Sequence, residues 1–306
     1  MGALDALLRG GLRPAPVSSA AELSAALASR PGSPFERALG VAAAQSLTAW
    51  AFAAGYLAAV EALVPRTAGS RAVLCVTESG GNGPAAMALS LGAEGEGFRA
   101  QGEKSFVTFG AEAEAYVVLG TPGTRADGRA DLRAFVVPRD RAGLSLAEGP
   151  RTPFVPEIAH ARLRFDGARV EAAELLPGPG WAYARRFRVL EDVHVEGAVA
   201  AMVLRWALEH RWDADLRADL YAALRWRERF AEELGRVPTG ERLPPSMLLE
   251  LDAAQRGLRG LIGALPWGGV DDATKDAFLR DQKLFTLAAR ARSVRAAKAR
   301  ERLGWA

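Results

Sequence analysis

Three hydrophobic patterns succeed one another along the chain. A long apolar segment runs from Phe35 to Val64, with no charged residue between Ala38 and Val60. Short apolar runs follow at 72–76, 106–109, 115–119 and 134–138, each bounded by Gly, Pro, Asp or charged residues. Such runs are too short for periodic helices and predict buried or half-buried strands. From Trp181 the pattern lengthens again and predicts helices over about 181–212, 214–234, 245–264 and 271–303. Gly235, Pro238-Thr239-Gly240 and Pro266-Trp267-Gly268-Gly269 punctuate them as helix stops. In the last helix Leu279, Phe285, Leu287 and Ala291 mark an apolar face. Arg280, Arg290, Arg292, Arg295, Lys298, Arg300 and Arg302 are assigned to a solvated one.

Start signals sharpen the N-terminal part. A short helix is expected at Ser19–Ala28, with Ser18 or Ser19 as cap and Glu22 three residues after Ser19. Ser33-Pro34 opens the long apolar segment as N-cap and first helical position. A membrane span is weighed for residues 38–60 and set aside. The run is mostly Ala, contains Gly40, Gln45, Ser46 and Thr48, and has no Lys/Arg cluster on one flank. A helix apolar all round also suits a globular core, and that is the expectation.

Between these helical parts, turns such as Ala93–Gly97, Pro122-Gly123 and Ala126-Asp127-Gly128 recur at the spacing of a barrel or sandwich. Strand–helix–strand alternation is missing, which argues against a Rossmann cofactor site. Pro153-Phe154-Val155-Pro156 is expected as an extended loop along one wall. The fold class is therefore α+β. Residues 1–70 form an N-terminal helical region, 71–177 a β-barrel-like domain, and 178–306 an antiparallel helical bundle.

Composition changes this picture little. With 49% hydrophobic and 25% charged residues among 306, the chain has ordinary globular composition. The formal charge is +3 with both signs interspersed, so nucleic-acid binding is not expected. Cys75 is the lone cysteine, which suits a reducing cytoplasm, and three histidines leave little material for a zinc site. No signal-peptide pattern opens the chain.

Candidate chemistry concentrates in two Gly-bounded stretches, Cys75-Val76-Thr77-Glu78-Ser79-Gly80-Gly81-Asn82-Gly83 and Gly102-Glu103-Lys104-Ser105-Phe106-Val107-Thr108-Phe109-Gly110. Thr77 and Thr108 fall at or near strand ends beside glycines. There a small hydroxyl and open backbone amides can meet the polar edge of a planar ligand, although each turn taken alone reads as an ordinary β-turn. The order Thr-Glu-x-Gly, then Gly-Glu-Lys-x-Phe-x-Thr-x-Gly, resembles the central β-domain of acyl-CoA dehydrogenases. Leu163–Val170 through Glu174–Gly178 is similar to that domain's closing strand and exit loop, and the resemblance spans about residues 35–210.

This resemblance implies FAD as cofactor, an acyl thioester of coenzyme A or an acyl carrier protein as substrate, and a homo-oligomer built on the C-terminal bundle. It implies cofactor contacts from Cys75, Val76, Thr77, Gly80, Gly81, Phe106 and Thr108, with Phe106 flanking the flavin ring. Departures accompany it. Gly83 and Pro84 stand where the family has a pyrophosphate-contacting Ser and an Asp, Ser79 stands for a Pro, and Phe106 for a Trp. The Arg-x-x-Phe-Gly motif is missing after 205. A weaker hold on the phosphate and adenine end follows.

Arg185 to His194 is the most polar stretch of an otherwise apolar helix, and Glu191 and His194 share a face. A desolvated carboxylate has a raised pKa, which suits a base beside a carbonyl. In some acyl-CoA dehydrogenases the catalytic glutamate lies on the first helix after the β-domain, and the match through Gly197 and Leu208 puts Glu191 there. A structural pairing with Arg188 is the competing reading. Glu157 and His160 repeat the Glu-x-x-His spacing, but prolines and a following strand keep them from a di-metal helix pair. Three readings stand: a flavoenzyme acting on an acyl thioester, a flavin-free relative serving as a structural partner, and a membrane-anchored protein.

Overall fold

The computed structural model describes residues 2–10 and 16–305. Two of its N-terminal helices begin where the sequence carries Ser caps. After a short α1 (Ala3–Leu8), the Ser19 hydroxyl accepts the Glu22 N–H at 3.2 Å and opens α2 (Ala20–Ala28). The Glu22 carboxylate in turn takes the N–H and hydroxyl of Ser18. Ser33 and Glu36 exchange reciprocal bonds at the start of α3 (Pro34–Ala42), with Pro34 in the first turn.

The apolar segment expected as one helix is two, α3 and α4 (Thr48–Leu63). Gln45 accounts for the break. Its buried side chain donates to the Val41 carbonyl at 2.8 Å and accepts the Val17 N–H at 3.0 Å. Its own carbonyl accepts from Arg205 at 3.0 Å, so that oxygen is already bonded where a continuous helix would use it. Among the described residues no helix is long and apolar enough to cross a membrane. As expected, α4 is buried on nearly every side. Gly55 lets it approach α5 (Gly180–Glu209) backbone to backbone, since a Cβ there would lie 2.7 Å from the His194 carbonyl oxygen.

Two compact units divide the chain. One combines the residues up to Ala59, the piece Pro153–Val155 and the residues from Glu191 onward; the other takes Val60–Thr152 and Pro156–Leu190. The N-terminal helices and the C-terminal bundle thus share one unit.

The second unit carries seven strands: β1 (Ala72–Cys75), β2 (Ser90–Glu94), β3 (Gly97–Thr108), β4 (Ala115–Gly120), β5 (Arg133–Pro138), β6 (Leu144–Glu148) and β7 (His160–Val170). They form two sheets, ordered β1-β4-β5 and β2-β3-β7-β6. Only β1 and β4 pair in parallel, and the chain between them runs through β2 and β3 without an α-helix. Phe135 of β5 meets Phe165 of β7 edge-on at 6.2 Å, so the sheets pack through apolar rings. An isolated parallel bridge from Ser90 of β2 to Thr121, just past the end of β4, links the two sheets. Among the described residues the two sheets do not close into a barrel. Regular turn spacing is common to barrels and packed sheets, so it cannot separate them.

The bundle consists of α5, α6 (Ala214–Arg236), α7 (Pro245–Gly263), α8 (Asp272–Asp281) and α9 (Ala289–Arg302). Three of the four anticipated helices match closely. The fourth breaks at 282–288, after fully buried Asp281, whose carboxylate accepts the Val155 N–H at 2.7 Å and the Arg280 guanidinium. This bond also ties the Pro153–Val155 piece to the helices. Of the anticipated apolar face Phe285 is buried, but Leu279 and Leu287 are 42% and 55% exposed and Ala291 is exposed, while Phe278, Ala296 and Ala299 are buried instead.

Part of the supposedly solvated face lies inside. Arg292 grips Asp192 with two bonds of 2.8 and 3.0 Å, and Arg295 reaches the other Asp192 oxygen at 2.8 Å. Glu196 accepts from Arg227 at 2.8 Å and Gln255 at 3.0 Å, and Gln255 accepts from Arg295 at 3.3 Å. Helices α5, α6, α7 and α9 are joined by this network. Burial opposes the Arg292 charge, but Asp192 foremost, then Glu196 and Glu191, outweigh it and raise its pKa.

Candidate functional site

Both motif stretches fall in the β unit, and backbone bonds set them side by side. Beyond the end of β1, the Thr77 carbonyl accepts the Ser105 N–H at 2.9 Å. Glu78 and Gly81 exchange backbone bonds of 2.9 and 2.8 Å, a tight turn that needs Gly81 at φ +117°. The Glu78 side chain anchors the loop that follows. Its carboxylate accepts the buried Lys104 ammonium at 2.5 Å and the N–H groups of Ala88 and Leu89 at 2.6 and 3.2 Å. Burial pulls the Lys104 pKa down, and Glu78 opposes that pull. Cys75 is fully buried and its thiol is pushed up by burial, so its side chain remains neutral core.

On β3 a bulge between Lys104 and Val107 resets the pairing, after which Val107 faces Ala161 and Thr108 faces His160. Val107 and Ala161 point into the core, whereas Phe106 and Thr108 are half-buried. The Phe106 ring lies 4.1 Å from the His160 ring, tilted by 30°. His160 is 9% exposed, and neither ring nitrogen has a hydrogen-bond partner among the described residues. Burial lowers its pKa to about 4, so the ring is neutral near pH 7.

A pH dependence follows from this histidine. Its pKa is 6.5 unfolded and about 4 folded, so above 6.5 it carries no penalty and below 4 the penalty is complete. Stability is expected to fall as pH drops through that window, by on the order of 2 kcal/mol after discounting solvent screening. Carboxylates titrate nearby, so the measurement is the difference between urea-unfolding curves of wild type and His160→Phe from pH 7 to 4. Parallel curves would remove the effect.

Arg188 donates to the Asn82 carbonyl at 3.2 Å and lies over Trp181 at 5.4 Å, beside the loop after Gly81. Glu191 is half-buried on α5 and falls in the helical unit, where its charge adds to the field on Arg292. His194 is buried there and meets Phe35 edge-on at 5.4 Å. Exposed Glu157 precedes the strand that begins at His160. Among the described residues no group of three or more His, Cys, Asp or Glu could hold a metal.

The β unit thus holds Thr77 against Ser105, the residue before Phe106, while Thr108 pairs with His160 and Glu191 belongs to the other unit. Sequence reasoning assigns no role to Glu78 and Lys104, although each stands inside a motif.

No protein-family model matches the chain, and no curated protein matches it by sequence. Solved structures do match. A FAD-dependent dehydrogenase superposes with a TM-score of 0.67 at 17% identity, over 99% of this chain and 97% of that one. Butyryl-CoA dehydrogenase from Megasphaera elsdenii gives 0.66 at 14% identity, over 97% and 96%. The prolyl acyl carrier protein oxidase AnaB gives 0.63 at 15%, over 96% and 89%. The likeness thus reaches well past residues 35–210, where motifs are legible, into the helices on either side. The fold of this chain is the acyl-CoA dehydrogenase fold.

Proposed function

We propose that the chain is a flavoprotein that binds FAD through its β unit and oxidises an acyl thioester of coenzyme A or an acyl carrier protein. The observation carrying this reading is the backbone bond from Ser105 to Thr77, which ties the start of the 77–81 turn to the strand that carries Phe106 and Thr108 on that fold. These residues fit a planar cofactor. Phe106 offers a ring face, Thr77 and Thr108 offer hydroxyls, and Gly80 and Gly81 present no side chain to block the approach. The buried ring nitrogens of His160, stacked on Phe106, have no hydrogen-bond partner among the described residues. The phosphate end fits less well, since Gly83 and Pro84 present no hydroxyl.

Bound FAD supplies the acceptor for a hydride from the substrate's β-carbon. Glu191 takes the α-proton onto a carboxylate oxygen, and the electrons of that C–H bond form the new α,β double bond. Support for the two carriers comes from similar structures, one a butyryl-CoA dehydrogenase and one an acyl carrier protein oxidase.

Equilibrium titration with FAD, followed by flavin absorbance, tests the reading. Wild type is expected to bind, and Thr108→Val to bind roughly fivefold more weakly, the worth of one hydrogen bond of about 1 kcal/mol. No binding by wild type at high micromolar FAD would sink the enzyme reading and favour a flavin-free partner protein.

A further inference from the structure

We infer that His160 is a cofactor-binding residue, its ring nitrogens meeting the polar edge of the planar ring that Phe106 and Thr108 hold. The inference rests on the flavin reading above and adds to it a residue absent from both motifs.

Three observations in the β unit carry it. His160 is directly opposite Thr108 in the β3–β7 register, on the face away from buried Val107 and Ala161. Its ring stacks on Phe106 at 4.1 Å with a 30° tilt, which fixes the imidazole against that side chain. Both nitrogens are buried without a partner among the described residues. Buried polar atoms are rarely left unbonded, because doing so forfeits a bond to water without replacement. Phe106 supplies only a ring edge and face to this histidine and cannot satisfy either nitrogen.

A neutral imidazole has one N–H donor and one lone-pair acceptor on opposite sides of the ring. The edge of an isoalloxazine ring carries carbonyl acceptors, ring nitrogens and an imide N–H, so it can take either. A leucine or phenylalanine would fill the same space more cheaply if the site stayed dry. The structural alternative is that His160 acts as a spacer under Phe106, with an ordered water on its nitrogens.

Two variants separate these roles. His160→Phe keeps the ring packing and deletes both nitrogens. His160→Gln keeps a donor and an acceptor and deletes the aromatic surface. The apo protein is melted first, then titrated with FAD, with flavin absorbance as readout. For a cofactor contact, His160→Phe is expected to raise the apo melting temperature by about 2–4 °C, because an unbonded polar group is removed. The same variant should weaken FAD binding about five- to tenfold and shift the visible flavin bands, while His160→Gln stays within about twofold of wild type. A spacer role gives the reverse order, with His160→Phe silent in FAD affinity and His160→Gln weakened, and that result overturns the inference. So does a lowered apo melting temperature in His160→Phe, which would mean the nitrogens are already bonded, for instance to water. If wild type itself binds no FAD, the flavin reading fails and this assignment with it. Binding by wild type that His160→Phe leaves unchanged removes the His160 assignment alone.

Discussion

Glu191→Gln is expected to lower turnover of an acyl thioester by roughly a hundredfold or more while FAD binding stays within about twofold of wild type. The substitution keeps the side-chain shape and removes the lone pair that accepts the α-proton. On the usual scale for a general base the loss lies between about 10²- and 10⁴-fold. Glu191 also contributes to the field that keeps Arg292 charged, but it is the weakest of the three carboxylates there, after Asp192 and Glu196. Arg292 retains its two bonds to Asp192, so the variant should fold. The competing reading makes Glu191 a structural partner only. It predicts the opposite split, with turnover near wild type and a lower melting temperature. Steady-state kinetics and a thermal melt on the same preparation decide between them.

The parts of this fold that read directly from sequence are those set by local chemistry. Ser19 and Ser33 cap helices through residues three positions away, and both starts fall where the caps put them. Asp213 and Asp271 accept backbone N–H groups in the same local way at the starts of α6 and α8. Breaks set by distant partners are not legible in this way. Gln45 interrupts an apolar run because Val17 and Arg205 bond to it, 28 and 160 residues away. The break after Asp281 is accompanied by a bond from Val155, 126 residues earlier. Arg292 and Arg295 look like members of a solvated charge run, since periodicity cannot tell a buried guanidinium with a carboxylate partner from an exposed one.

At the site, the Thr77 and Phe106–Thr108 segments are legible because motif order survives where overall identity does not. His160 carries no such mark. Its place is set by the β3–β7 register after the bulge, and a one-residue slip would turn it to the other face. Glu78 and Lys104 lie between these cases. Their residue types are visible in the motifs, but only the fold makes them one ion pair.

That pair underlies the largest stability effect expected here. Glu78→Ala should destabilise the protein by about 3–5 kcal/mol, the usual cost of removing one partner from a buried ion pair. Lys104 is fully buried, and Glu78 provides its only salt-bridge contact among the described residues. Met87 sulfur, at 3.7 Å, is a poor substitute for a carboxylate. The N–H groups of Ala88 and Leu89 lose their acceptor in the same change, so the loop from 78 to 89 loosens as the core weakens. FAD affinity should therefore fall together with the melting temperature. The double variant Glu78→Leu with Lys104→Met tests the electrostatic part, since replacing both charges by apolar groups of similar volume is often neutral. It should regain most of the loss and fall short of wild type by about 1–3 kcal/mol, the cost of the two unbonded amides. Urea unfolding of the three proteins gives these differences. A cost below about 1 kcal/mol for Glu78→Ala would mean that water reaches Lys104, and the anchoring role assigned to the pair would be wrong.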